Sequence, residues 1–185
     1  LSRKTLHTPD DAPVLLALGR LHENKGFDTL IDAVARLPGH YLWIGGAGPS
    51  ETDLKQRVMG LDIGDRVRFL GWRDDIPSLF AAADIFVCSS RHEPFGNIVI
   101  ESWMHGVPIV AAASEGPADL IDDGVNGLLT PLNDSAAMAG AISRLAADPA
   151  LAAKLVEGGR KTYAAGYNVE IGCRRYSELF ERLAG

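Results

Sequence analysis

The sequence predicts an α/β fold built on a doubly wound parallel sheet of about six strands with helices on both faces. Short apolar runs alternate with segments of helical periodicity along the whole chain, the pattern of successive βαβ units. The first of these runs, Val14–Leu18, is continuous, as a strand covered on both faces is. The 20 glycines and the 7% aromatic content suit such a fold better than a disordered or collagen-like chain.

The first strand is Val14-Leu15-Leu16-Ala17-Leu18, ending in Gly19. Gly26 precedes a helix over Phe27–Val34, closed by Pro38-Gly39. Tyr41–Ile44 is the second strand, followed by the turn Gly45-Gly46-Ala47-Gly48-Pro49 and a helix capped by Ser50 and running to about Gly60. Val67–Leu70 is the third strand, Ile76–Ala83 a short helix and Ile85–Cys88 the fourth strand. Pro94 bars that strand from continuing, and the next helix ends near His105-Gly106. Val107–Ala112 forms the fifth strand, Pro117 opens a helix ending at Asp122-Asp123-Gly124, and Gly127–Thr130 is a short sixth strand. Asp134 caps a helix to about Asp148, and Pro149 starts another. Asn168 caps the last helix, whose apolar stripe is Tyr176, Leu179, Phe180 and Leu183. Residues 1–12, polar and carrying Pro9 and Asp10-Asp11, read as a linker; 13–185 read as one domain, with 167–185 its closing helix.

A length of 185 residues with 46% hydrophobic and 23% charged content fits one domain with an ample core. The net charge of −6 argues against a general nucleic-acid-binding role. Cys88 and Cys173 lie far apart and form no metal or redox spacing, so they read as idle thiols of a reducing, cytoplasmic compartment. No run is long and apolar enough to span a bilayer, and no basic, apolar leader opens the chain. Because the chain begins at Leu1 instead of Met, it is expected to be a piece of a longer protein.

The chemistry concentrates in Arg91-His92-Glu93-Pro94-Phe95-Gly96-Asn97-Ile98-Val99-Ile100-Glu101. A strand, a short loop and a helix that opens with unpartnered amides make an anion pocket. Glu93 and Glu101 flank it eight residues apart, and Glu101 shares a helix face with Asn97, its side chain leaning toward the helix start. An anion on the helix end with a hydroxyl-holding carboxylate on either side is the layout of a nucleotide sugar: ribose, diphosphate, hexose. Such ligands bind beyond the C-terminal strand ends, where all of these residues fall.

Other candidates are weighed against plainer readings. In Gly19-Arg20-Leu21-His22-Glu23-Asn24-Lys25-Gly26, Arg20 and Lys25 are either phosphate ligands or ordinary surface charges. The loop is not a Walker A, since Lys25 precedes its glycine and no Ser or Thr follows to hold magnesium. Gly46-Ala47-Gly48-Pro49-Ser50-Glu51 is half a dinucleotide fingerprint on the wrong strand, so a tight turn is the better reading. Trp72 and Arg73 either support a base or close a loop. His92 is read as a loop residue with its backbone in use, and His105 as a helix-terminal side chain. Asp74-Asp75 and Asp122-Asp123 read as turns and caps, and no metal site is expected.

Five motifs in order carry a resemblance: Gly19-Arg20-Leu21 with Lys25-Gly26; Ile44 to Pro49; Val67 to Gly71; Glu93-Pro94-Phe95-Gly96 through Glu101; and Gly106 to Ala111. From about Val14 onward the chain resembles the C-terminal, donor-binding domain of retaining GT-B glycosyltransferases of the group 1, or family-four, class. The resemblance implies one Rossmann-like half of a GT-B fold, whose partner is its own N-terminal acceptor domain. It implies a nucleotide-diphosphate sugar as donor, no metal and no cofactor. Arg20 and Lys25 would bind the diphosphate, and amides around Gly96, Asn97 and Ile98 the phosphate and sugar, with Gly19 and Phe95 in the same loops. Glu101 would hold the ribose, Trp72 and Arg73 face the base, and Glu93 lie against the reacting sugar. The implied reaction is hexosyl transfer with retention, Arg20 and Lys25 stabilising the leaving group while Glu93 orients the donor or acts as nucleophile. An isolated domain would be inactive. Two rival readings are a non-catalytic nucleotide-sugar-binding module and a GT-B-type epimerase. Any peripheral contact with the inner face of the membrane would run through the other domain. One departure is Tyr167-Asn168-Val169, where the family has an aromatic-Ser-Trp entry to the last helix.

Overall fold

Six strands form one all-parallel sheet in the computed structural model, which describes residues 3–184. They are β1 (Val14–Leu18), β2 (Tyr41–Gly45), β3 (Val67–Gly71), β4 (Ile85–Cys88), β5 (Ile109–Ala112) and β6 (Leu128–Thr130). The helices are α1 (Phe27–Ala35), α2 (Glu51–Gly60), α3 (Ile76–Ala82), α4 (Asn97–His105), α5 (Glu115–Leu120), α6 (Ser135–Ala147), α7 (Pro149–Gly166) and α8 (Val169–Ala184). The strand order is β3-β2-β1-β4-β5-β6, and every neighbouring pair is parallel. The order reverses between β1 and β4, so the loops leaving those two strands flank the topological switch point.

The continuous apolar runs are explained by two cores. Alternate side chains of a strand point to opposite faces. Leu15 and Ala17 of β1 join Leu30, Ile31 and Val34 of α1 and Met138 and Ile142 of α6. Val14 and Leu16 join Leu79 and Phe80 of α3 and Val99 and Trp103 of α4 on the other face. Each fully buried aliphatic side chain is worth about 1.5–3 kcal/mol. The sheet is therefore a rigid floor for the loops at its C-terminal edge.

The starts of β5 and α5 differ from expectation, the end of α5 falls at Leu120 short of Asp122-Asp123-Gly124, and one expected cap bond is not made. β5 begins at Ile109 because Gly106 adopts a left-handed cap and the Val107 amide donates to Ser102 O, which finishes α4. α5 begins at Glu115, two residues before Pro117, since a first helical turn needs no amide donor from its proline. Ser50 holds the N-cap position of α2 but makes no side-chain cap bond, whereas Asp134, Asp148 and Asn168 bond Ala137, Leu151 and Ile171 amides as caps do.

The segment before β1 is not a free tether. Arg3–Leu6 forms a one-turn 3-10 helix, and Thr8 is buried, its hydroxyl accepting the indole N–H of buried Trp43 at 3.0 Å. Arg3 reaches Ala82 O and pairs with Asp84, while Arg68 donates to Leu6 O and His7 O. Its polar composition hid these partners because all of them lie far along the chain. At the other end, the stripe of α8 stays exposed: Tyr176 is 66%, Phe180 64% and Leu183 75% accessible, so it does not pack on this body.

Candidate active site

The loop after β1 and the loop after β4 are stitched together. Asn24 O accepts the amides of Arg91 (2.8 Å) and His92 (3.3 Å), and the Ser89 hydroxyl donates to Lys25 O at 2.8 Å. Gly26, with φ 60°, passes so close to Ser89 O that an added Cβ would stand 2.1 Å from it. The Arg91 guanidinium ties the same loops to their supports, donating to Glu23 O, Asp28 Oδ2, Thr29 Oγ1 and Asn133 Oδ1. Burial raises the Asp28 carboxyl, but the Arg91 bond and charge with backbone amides outweigh it and leave it below its ordinary value.

Between these loops lies a cavity of about 400 Å³ lined by Gly19, Arg20, Lys25, Trp72, Arg73, Glu93, Asn97, Ile98 and Glu101. Leu18, Gly45, Gly46 and Ile76 complete its wall. Gly96 starts α4 in a left-handed conformation at φ 84°. The first amides of α4, those of Asn97 and Ile98, find no acceptor among the described residues. Arg20 is exposed and, among the described residues, makes no ion pair or side-chain hydrogen bond. Lys25 lies along Gly19 and is in ion contact with Glu93, whose carboxylate also sits 3.5 Å from the Ser90 hydroxyl.

Glu101 is half-buried on the α4 face that lines the cavity and has no hydrogen-bond donor among the described residues. Desolvation raises its carboxyl above the ordinary value, against a smaller lowering by His105. The His105 ring itself stacks on Phe80 at 4.6 Å, a packing role. Trp72 is 79% exposed and its indole donates to Asp74; Arg73 forks onto Asp75 at 2.6–2.7 Å. Two Arg73 nitrogens are therefore engaged by Asp75.

Two residues placed in the site by sequence do not line the cavity. Phe95 points outward, 59% exposed. The Cβ direction of Gly96 faces Leu120 and the Gly116 backbone, so it is the seat of the loop on α5 and not part of the wall. Sequence reading also missed the grip on Glu93 from behind: its amide donates to Glu115 Oε2 at 3.2 Å, and its carbonyl accepts the Gly116 amide at 2.8 Å. The available signal was the position of Glu115 just beyond β5, on the same sheet edge. His92 donates Nδ1–H to Glu115 Oε1 at 2.8 Å, the tautomer a carboxylate acceptor requires. Its amide is used as well, as expected for a loop residue. Buried Cys88, its thiol raised by desolvation, lies beneath the site, and Cys173 is exposed.

Fold and cleft together define a Rossmann-like α/β domain with a polar cavity where such sheets hold their ligands. The family model for glycosyl transferases group 1 matches residues 1–162, and the chain belongs to that family. It is 45% identical over 179 residues to the lipopolysaccharide core biosynthesis glycosyltransferase LpsE of Rhizobium meliloti (strain 1021), covering 97% of this chain and 53% of that protein. Among solved structures, Anabaena HepE in complex with UDP and glucose superimposes with a TM-score of 0.90 at 31% identity, over 97% of this chain and 50% of that one. Sucrose-phosphate synthase from Thermosynechococcus elongatus gives 0.88 at 35% identity, over 98% and 48%. The sheet is that of one Rossmann-like half of a GT-B fold, and the chain spans about half the length of the curated relatives it matches. Among the described residues, no helix is long and apolar enough to cross a membrane, and no cluster of His, Cys, Asp or Glu is arranged to hold a metal ion.

Proposed function

We propose that this chain binds the nucleotide-diphosphate sugar of a glycosyltransferase and, with a second Rossmann-like domain carrying the acceptor, transfers the sugar with retention of configuration. The observation that carries this reading is the convergence of Arg20, Lys25, the open start of α4, Glu93 and Glu101 on one cavity. Cations and helix amides suit a diphosphate, and flanking carboxylates suit the hydroxyls of a ribose and a hexose. That HepE was solved with UDP and glucose supports the same ligand class here. The exposed stripe of α8 supports a second domain, since an apolar face of that size calls for a cover.

In the proposed reaction the bond between the sugar's anomeric carbon and the β-phosphate oxygen breaks. An acceptor oxygen bonds to the same carbon, and its proton leaves with the departing phosphate. Arg20, Lys25 and the α4 amides stabilise the charge developing on the diphosphate. Glu93 orients the hexose and offsets positive charge at the reacting carbon, and Glu101 fixes the ribose. Trp72 lies beside the base.

Titration of the isotope-labelled chain with UDP-, GDP- and ADP-sugars tests the reading. Amide shifts confined to the loops around Gly19–Lys25, Trp72–Arg73 and Glu93–Glu101 are expected with one of the three. Saturable shifts at another face of the sheet, or none with any donor, would remove the proposal.

A further inference from the structure

We infer that Glu115 is a positioning residue for Glu93: from the first turn of α5 its carboxylate holds the Glu93 backbone at the angle that points Glu93 into the cavity. The inference rests on reading Glu93 as the group that meets the donor sugar.

Glu93 is held at two ends. Its carboxylate is in contact with Lys25 and within reach of Ser90, while its backbone is clipped to α5. The clip is reciprocal: Glu115 Oε2 takes the Glu93 amide and the Gly116 amide gives to Glu93 O. Gly116 makes the approach feasible, since an added Cβ there would lie 2.3 Å from Phe95 C. The same carboxylate fixes the His92 ring, so two donors from the loop after β4 converge on it, one on each oxygen. Bonds through both oxygens favour one orientation of the Glu115 carboxylate.

The two ends are not equivalent once a donor arrives. Lys25 is the obvious ligand for the phosphate next to the sugar, and moving there takes away the cation paired with Glu93 among the described residues. The orientation of Glu93 then depends on its backbone clip. Glu115 is therefore expected to matter for the sugar and not for the nucleotide, although it does not line the cavity.

The test uses Glu115→Ala, Glu115→Gln and Glu93→Gln in the whole chain. Amide hydrogen exchange reads the clip without any ligand. Glu115→Ala should speed exchange of the Glu93 amide at least 10-fold and leave Ser102 and Trp103 protected, with only a small fall in melting temperature at pH 7. Glu115→Gln keeps an acceptor oxygen and should restore protection. Calorimetry then compares UDP with UDP-glucose, or the matching pair for whichever base the wild type takes. Glu115→Ala should lower the ratio of sugar-nucleotide to nucleotide affinity by roughly 5- to 10-fold, the worth of about one hydrogen bond. Glu115→Gln should restore the ratio, and Glu93→Gln should lower it. Unchanged Glu93 exchange in Glu115→Ala, or equal loss of stability in the Ala and Gln variants, overturns the inference. If Glu93→Gln leaves the ratio untouched, the sugar role given to Glu93 is what has failed, while exchange still decides whether Glu115 sets its backbone.

Discussion

Replacing Glu101 by Gln should stabilise the protein and impair its binding at once. The carboxylate is half-buried, has no donor among the described residues and is raised above its ordinary value of 4.5 by desolvation. A carboxyl that binds its proton more tightly when folded favours folding below its unfolded pKa, and that favour is lost as pH rises through the folded pKa. At pH 7 the wild type therefore carries a desolvated charge that the amide lacks. Glu101→Gln should melt higher at pH 7, and the difference should vanish as pH drops below about 4, where both side chains are neutral. Against this gain stands the proposed ribose contact. Charge-assisted hydrogen bonds are worth about 1.5–3 kcal/mol each, and the amide keeps one weaker acceptor. A net loss of about 2–3 kcal/mol corresponds to roughly 30- to 150-fold in nucleotide affinity. Thermal melts at pH 7 and pH 4 with calorimetric titration measure both sides. A variant less stable than wild type at pH 7, or one with unchanged nucleotide affinity, would refute the reasoning.

Lys25→Ala should weaken binding of the nucleoside diphosphate about 10-fold or more while leaving a nucleoside nearly unaffected, measured by calorimetry; equal losses for both ligands would contradict a phosphate role. Gly26→Ala combines a left-handed φ of 60° with a Cβ 2.1 Å from Ser89 O and should cost about 2–4 kcal/mol in urea denaturation. A cost below about 1 kcal/mol would mean that the two loops part easily. Glu115 titrates at about 2, held down by its own amide, the His92 ring and the Glu93 amide. Its contribution is present above 4.5 and lost as pH falls from there toward 2, so Glu115→Gln should flatten the acid limb of the stability profile. Superimposable acid limbs would show that these bonds do not hold in solution.

The sheet was legible because its central strands β1, β4 and β5 are short unbroken apolar runs, and two-faced burial demands that composition. The elements flanking the switch point could be named from Pro94, Gly96 and Gly26, since proline bars a strand from continuing and glycine readily takes the left-handed turn that opens a helix. What sequence could not supply was pairing across distance. Lys25 and Glu93 are 68 residues apart, Thr8 and Trp43 are 35 apart, and Glu93 and Glu115 are 22 apart. Nothing local marks such partners. The exposure of Phe95 was equally unreadable, since its loop backbone packs against Gly116, a residue of a different βα unit. Arg91 was quoted only as a flank, yet its guanidinium joins four partners that together fix both site loops.

The two cations proposed to take the diphosphate, Arg20 and Lys25, are in different states, and this asymmetry orders the proposed binding. Arg20 is exposed and unpaired among the described residues, so it and the α4 amides meet an incoming diphosphate first. Lys25 is engaged by Glu93, with side-chain accessibilities of 28% and 14% for the two partners. It reaches phosphate only by giving up that contact, which frees Glu93 for the hexose. The exchange couples phosphate capture to sugar alignment and predicts an unusual outcome for Glu93→Gln. Removing the carboxylate releases Lys25 beforehand, so the free nucleoside diphosphate should bind more tightly than to wild type. For a partly exposed pair worth about 1 kcal/mol the gain is roughly 5-fold. The nucleotide sugar should gain little or lose affinity, because its hexose has lost its partner. Calorimetric titration of both ligands into both proteins decides the matter. A variant that binds the diphosphate no better than wild type would mean that Lys25 and Glu93 act independently and that phosphate capture does not release the acid.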